Sequence, residues 1–498
     1  VTSSAGRAIF AFTRDLRLGD HAGLAAAARH GTVVPVLVID AAAADSLRRS
    51  PRRAAFYCAA VAALDTDLRA RGARLIVRRG AAGPALRALA RGTGAATVAW
   101  SVGYDAAAVA AARDLQSTLE EAGLRVIAAH DAPVVPPEDS VREGSGYRAF
   151  VPYFARWRAL VAEEAGLPGL ATRGEPGTAV AFADLAAIAS EPLPEAAEFG
   201  SRIIGRRSVS EAAATAAARR FIESDVLGYA IARNVPAAAA TSHLSADLAF
   251  GTIAARTVVH AVLGRARDPF LLTEERMSLR LFLRSFAQRD FFLQLGWFNE
   301  DLGEAPLQPK MRGFRFARTH PLLEAWREGR TGFPLVDAGM RELAATGWMH
   351  PRVRSIAASF LCFDLGVDWR VGRDVWDRHL VEDAPALAAG NWQWIAGVGA
   401  DLAAYPRIYH PLKAARRFDP AARYIRRWIP ELALQPDDAI LDPAGRRSDR
   451  QLAFALFGPD EYPAPVLDHE AAARAFLARY GREVHGAQHK SGVRNDDE

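Results

Sequence analysis

The chain is 498 residues long, 50% hydrophobic and 24% charged, with 62 Lys and Arg against 57 Asp and Glu and only two cysteines. That length asks for more than one hydrophobic core, and that balance excludes the disordered, fibrous and disulfide-rich classes. No apolar run approaches the roughly 20 residues needed to span a bilayer, and Cys58 and Cys362 have no second thiol or histidine at metal-ligand spacing, so no metal site is expected.

The net charge of +5 is carried almost wholly by arginine. It permits a nucleic-acid partner without requiring one. On charge alone, an arginine- and alanine-rich codon usage explains it as well. Residues 1–7 lack the charged-then-apolar layout of a secretory signal, so a reducing cytoplasm and no membrane partner are expected.

In chain order, the first 130 residues alternate between two periods. Short β-branched apolar runs fall at 8–12, 33–39, 75–77, 97–100 and 125–127, with helical spacing between them, notably at 54–71 and 106–121. Such runs predict a doubly wound parallel sheet covered on both faces. Gly123 stops the helix at 106–121. Ligands of these sheets sit at the carboxyl ends of the strands, where Thr13, Arg14 and Asp15 follow the first run. Residues 131–208 are punctuated by Pro133, Pro136, Pro137, Pro168, Pro176, Pro192 and Pro194, with one helical piece near 150–164. They read as an interdomain connection. From Glu211 onward nearly every segment has helical period, as at 213–233, 252–263, 277–295, 335–345, 351–365 and 371–379. The expected fold class is therefore α/β plus all-α, with domains at 1–130 and 209–485 and a frayed tail at 486–498.

Within the helical half, Val336, Met340 and Leu343 share one face of a helix closed by Gly347. His350 then stands at a cap position, with Pro351 at the first helical place. Arg352 and Arg354 occupy the opening turns, an arrangement that suits anionic groups. Alone, two such arginines are solvated surface groups. A Thr-Ser-x-Leu-Ser turn alone is a helix cap, and a buried tryptophan alone is core.

Longer stretches carry more information. Residues 326–341 read WREGRTGFPLVDAGMR, followed by TGWMH at 346–350, ASFL at 358–361, VDWR at 367–370 and NWQW at 391–394. Upstream lie FTRDLRL at 12–18, YAIARN at 229–234 and TSHLS at 241–245. Downstream lie YPRIYHP at 405–411 and YIRRWIPEL at 424–432. Together and in this order, they resemble the photolyase/cryptochrome family across most of the chain.

The resemblance implies an α/β domain followed by a helical FAD-binding domain. Tyr229, Thr241, Ser242, His243, Leu244 and Ser245 would hold the FAD pyrophosphate. Arg289, Trp348 and Arg354 would complete the flavin shell, with Glu382, Asp383 and Ala388 along the ring. Trp392 and Trp369 match the inner members of the family's tryptophan relay, and His350 and Arg352 stand with them as catalytic candidates. Arg352, Arg407, Lys413, Arg416 and Arg417, with Arg426 and Arg427, would contact the phosphates of damaged DNA. A second, light-harvesting chromophore, a folate or a deazaflavin, is common in the family. Residues 100–105 and the edge near Arg14 are its region, although no motif names the ligand. A monomer is expected.

Several positions depart from the family pattern. Phe316 stands at the outer relay tryptophan, Ala384 at an aspartate of the ring edge, and Ala388 at the residue facing flavin N5. In the lesion pocket, Gln288 replaces a stacking tryptophan, Ser285 an acidic residue, and Pro351 an asparagine. Ala246 and Asp247 replace the middle pair of a Ser-Pro-Tyr-Leu stretch. The first function expected is blue-light-driven DNA repair by a deoxyribodipyrimidine photolyase-like lyase with an atypical site. Its alternative is a diverged relative using the cavity for another ligand or redox reaction. A cryptochrome-type photoreceptor comes third.

Overall fold

Five apolar runs pair side by side in parallel: β1 (Arg7–Phe12), β2 (Thr32–Ile39), β3 (Ile76–Arg79), β4 (Ala95–Ser101) and β5 (Arg125–Ala129). Their order is β3-β2-β1-β4-β5, with Ile9 of β1 opposite Val34 on one side and Val98 on the other. Ala8, Ile9 and Phe10 are fully buried, as a central strand covered on both faces requires. The helices Ala22–Ala28, Pro51–Arg69, Ala82–Thr93 and Ala106–Glu120 alternate with the strands. His21, Ser50 and Asp105 cap three of them by accepting a backbone N–H from the first turn. The free edge of β3 is blunted by a returning segment. There the Val77 N–H donates to the Ser190 hydroxyl at 2.9 Å, and the Arg79 N–H to Glu191 at 2.9 Å.

The computed structural model describes residues 6–141, 144–166, 180–203, 208–238, 240–400, 405–441 and 462–485. The tail at 486–498, and 167–179 and 204–207 of the connection, lie outside them. The chain divides into two compact units. The first takes in Val1–Ala230, Thr241–Gly303 and Val381–Leu387; the second Ile231–Ala240, Glu304–Leu380 and Ala388–Glu498.

In the first unit, the helices Phe150–Gly166, Glu211–Glu223, Ala255–Ala266 and Thr273–Phe298 follow the sheet. The helical period at 213–233 predicts one long helix, but the helix ends at Ser224. There the hydroxyl donates back to the Arg220 carbonyl at 3.0 Å and the backbone leaves helical geometry, with φ −128° and ψ −64°. Just past β5, the buried carboxylate of Asp131 accepts from Arg17 at 2.7 Å, from Arg256 at 3.0 Å and from the Ala22 N–H at 3.1 Å. Asp290 likewise accepts the Val134 and Val135 N–H groups and the Trp157 indole N–H, at 2.9, 3.0 and 2.9 Å.

The second unit packs helices around an apolar core that includes Trp326, Val336, Met340, Leu343, Ile356 and Leu361. Pro334–Thr346 ends at Gly347 with φ 75°, a left-handed backbone that glycine adopts without strain. The period at 351–365 predicts one helix; Pro351–Ser359 instead widens into a π-type turn over Phe360–Asp364. A buried aspartate pins the entrance to this core. Asp337 accepts the Thr331 and Gly332 N–H groups, both at 2.9 Å, and the hydroxyls of Thr331 and Tyr462. Burial pushes its carboxyl up to about 6, against those hydrogen bonds. A carboxyl raised in the folded state contributes stability below its ordinary value near 4 and loses it as pH rises through 6. Asp337→Asn should flatten that part of the pH dependence. It should also cost ~1–3 kcal/mol at neutral pH, because the amide cannot accept from all of these donors. Urea unfolding at acidic and neutral pH checks both effects; an unchanged slope would refute the assignment.

Candidate functional site

In the first unit, the Tyr229 ring packs edge-on to Phe221 and Phe282, with centroids 6.3 and 5.3 Å away. The turn that follows departs from ordinary backbone. His243 is left-handed with φ 52°, and Leu244 comes next with φ −86° and ψ 5°. Successive residues of opposite hand turn their N–H groups toward one point, a concavity that suits anions. The Thr241 hydroxyl oxygen beside it is buried and, among the described residues, makes no hydrogen bond. An orphaned hydroxyl at such a turn fits a phosphate-bearing cofactor. Ser242 is half-buried and His243 exposed.

The two acidic residues expected along the flavin ring have different partners. The Ser245 hydroxyl donates to Glu382 at 3.5 Å. The Asp383 carboxylate, in contrast, pairs with Arg14 at 2.8 Å and accepts from the Ser46 hydroxyl at 2.7 Å. Burial opposes its ionisation, but Arg14 and Arg53 outweigh that and hold it below the usual carboxylate range. Asp383 thus fastens its own segment to the carboxyl edge of β1. Arg289 is similarly committed, donating to the Ala132 carbonyl at 2.7 Å and the Leu248 carbonyl at 3.3 Å. Ser285 bonds back to the Phe282 carbonyl at 2.6 Å within its own helix.

In the second unit, His350 caps Pro351–Ser359 by accepting the Arg352 N–H at 3.2 Å. The His350 backbone N–H donates to the buried carboxylate of Glu342 at 3.0 Å, which also accepts the Tyr424 hydroxyl at 2.7 Å. Trp348 stands edge-on to His350, with centroids 6.1 Å apart. Arg354 turns its Nε to the Met349 carbonyl at 2.9 Å. Arg352 sits otherwise, with Nε and Nη2 donating to the Asn234 side-chain oxygen at 3.2 and 2.7 Å. Arg407, Lys413, Arg416 and Arg417 are exposed. Arg426 is half-buried and paired with Asp437 at 2.6 Å.

The helices Trp369–Asp377 and Pro385–Ile395 carry the relay candidates, and Ala388 lies half-buried on the second. Trp369 and Trp392 are 1% and 3% exposed, so neither indole is a surface group. The ring in contact with Trp392 is Trp376, with centroids 4.4 Å apart and planes at 53°. Gly372 makes room for it, since a Cβ there would meet the Trp392 ring at 2.3 Å and Leu361 at 2.4 Å. Trp369, Gly372 and Trp376 fall at i, i+3 and i+7, one face of a helix. That spacing was readable in the sequence but carried no motif. Phe316 packs among Phe314 and Phe476, with centroids 4.9 and 6.0 Å away.

A sequence model of the FAD binding domain of DNA photolyase matches residues 282–482, and one of DNA photolyase matches 8–170. The deoxyribodipyrimidine photo-lyase of Halobacterium salinarum is 34% identical over 95% of this chain and 98% of its own length. The chain belongs to the photolyase/cryptochrome family. The photolyase of Streptomyces griseus with the same name is 37% identical over 95% of this chain and 99% of its own. Among solved structures, a bacterial class III photolyase from Agrobacterium tumefaciens aligns with TM-score 0.83 and 30% identity, covering 97% of this chain and 98% of its own. Family membership therefore rests on both halves of the chain, α/β and helical.

Among the described residues, no helix is long and apolar enough to cross a membrane.

Proposed function

We propose that this photolyase-family chain is an FAD-dependent, blue-light-driven lyase acting on pyrimidine dimers in DNA. The observation that carries this reading is the full-length likeness to relatives named for that activity, at 34% and 37% identity. When bound, the flavin supplies a light-driven one-electron carrier. The chain's own residues support its binding and supply. Thr241, Ser242, His243, Leu244 and Ser245 offer a hydroxyl and converging N–H groups to the pyrophosphate, with Tyr229 behind them. Glu382 serves the ring edge, while Asp383 positions its segment through Arg14. Arg289, Trp348 and Arg354 frame the ring, and Ala388 leaves the N5 side without a polar side chain. Trp392 donates electrons, with Trp376 and Trp369 behind it; His350 orients Arg352 by capping its helix. Arg352, Arg407, Lys413, Arg416 and Arg417 bind the phosphates of the damaged strand. The chain works as a monomer in the cytoplasm. A light-harvesting folate or deazaflavin sits near residues 100–105.

A second reading, a diverged member using its cavity for another ligand, is favoured by Ala388, Gln288, Ser285 and Pro351. A stacked base is worth ~1–3 kcal/mol, so losing the ring at 288 matters for lesion capture. The deciding experiment combines the absorption spectrum of the purified protein, release of its flavin, and a dimer-repair assay in blue light. Stoichiometric FAD with repair is expected. FAD without repair would count against the lyase, and a protein that refuses added FAD would overturn the light-driven reading and leave the second.

A further inference from the structure

Resting on the DNA reading, we propose that Asn234 and Phe418 are positioning residues that hold Arg352 and Arg417 as a pair of uncompensated cations against the phosphodiester backbone. The Phe418 ring, 9% exposed, belongs to the core of the second unit, so it is a fixed platform. The guanidinium carbon of Arg352 lies 5.0 Å from its centroid and that of Arg417 5.3 Å. Both distances lie within cation–π range. Two like charges are thus gathered at one ring, an arrangement that stability alone disfavours.

The second support is a choice of acceptor. Arg352 offers Nε and Nη2 together, the face that ordinarily takes a carboxylate. Here it takes the side-chain oxygen of Asn234, at 3.2 and 2.7 Å. An amide fixes the guanidinium without cancelling its charge. The first turn of Pro351–Ser359 contains no acidic residue. Among the described residues, Arg417 has no ion-pair partner either, and it sits in the last turn of Pro411–Phe418 beside Arg416. The adjacent carboxylate, Asp419, is engaged by the Tyr424 and Ile425 N–H groups at 3.2 and 2.9 Å. Paired arginines of fixed geometry and full charge suit a strand of phosphates.

The test is the salt dependence of binding, in the dark, to a short DNA duplex carrying one thymine dimer. Asn234→Asp would supply a carboxylate and neutralise Arg352 where it stands. The slope of log affinity against log salt should then shrink by about 1. Between about 50 and about 200 mM salt, the variant should lose ~3-fold less affinity than the wild type. Arg417→Ala should give the same change in slope. Asn234→Ala, which keeps the charge but not the anchor, should weaken binding with the slope retained. A merely structural role for Asn234 would lower stability in Asn234→Ala and leave its DNA affinity and slope at the wild-type values. Wild-type binding with an unchanged slope in Asn234→Asp overturns the pairing while leaving DNA binding intact. Wild-type protein that shows no salt-dependent binding removes the DNA reading, and the pairing with it.

Discussion

Asp131→Ala should unfold the first unit or leave it barely stable. The side chains of Arg17 and Asp131 are 2% and 3% exposed, and that of Arg256 is 4% exposed. Removing the carboxylate therefore leaves buried Arg17 without an ion-pair partner among the described residues, and Arg256 with Asp20 alone, at 3.3 Å. Breaking a buried pair by deleting one partner costs ~3–5 kcal/mol, a large share of the ~5–15 kcal/mol that holds a typical domain. The backbone carbonyls of Gly19, Asp20 and Gly251 would still accept from Arg17, which limits the damage but supplies no charge. Burial works against ionised Asp131, yet Arg17, His21 and Arg256 outweigh it and hold the carboxyl far below its ordinary range. A depressed carboxylate contributes stability above its unfolded value near 4 and loses it as pH falls toward the folded value. Acid should therefore destabilise the wild type progressively below about pH 4, and the variant should lack that component. Urea midpoints and soluble yield read the first effect, and a pH series reads the second. Asp131→Asn, which keeps an acceptor, should fall between the two. A wild-type midpoint for Asp131→Ala would show that the backbone acceptors and Asp20 suffice.

The strands of that unit could be read directly because each is a short, largely apolar run between helical stretches, although β5, at the edge of the sheet, buries none of its residues fully. The cap at His350 and Pro351, and the stop at Gly347, were equally legible, since local stereochemistry fixes them. Partner choice was not. Arg17 and Asp131 are 114 residues apart, and Arg14 reaches across 369 to the Asp383 carbonyl. Periodicity carries no information about such pairs. The acidic doublet at 382–383 shows the consequence: resemblance places both residues along the ring, while only the fold reveals that Asp383 serves Arg14 and Ser46. Asn234 was in view within a recognised motif, but its role depends on an arginine 118 residues away. The break at Ser224 was missed for the opposite reason. A serine that bonds back to its own helix ends it without a glycine or proline to signal the stop.

Trp392→Phe should abolish photoreduction of bound FAD, with a loss of at least ~100-fold, the factor that ~3 kcal/mol of added barrier produces. The phenyl ring keeps the packing but is far harder to oxidise than indole, which separates electron supply from fold. What lies behind Trp392 is the sharper question. At the outer position that the family resemblance assigns to a tryptophan, this chain has Phe316, packed among Phe314 and Phe476, and a phenyl ring is far harder to oxidise than an indole. Trp369 also has the guanidiniums of Arg370 and Arg373 at 5.7 and 5.4 Å from its ring, so positive charge on that indole is disfavoured. Trp376 touches Trp392 directly. Trp376→Phe should therefore slow photoreduction more than Trp369→Phe, and the double variant should approach Trp392→Phe. Gly372→Ala should displace Trp392 and cost ~1–3 kcal/mol through overpacking. The close indole pair also predicts an exciton feature in the near-ultraviolet circular dichroism of the flavin-free protein. Trp376→Phe and Trp392→Phe should each remove it, and Trp369→Phe should not. Equal photoreduction in wild type and Trp376→Phe, with the dichroic feature still lost, would leave the contact real and return the electron supply to Trp369.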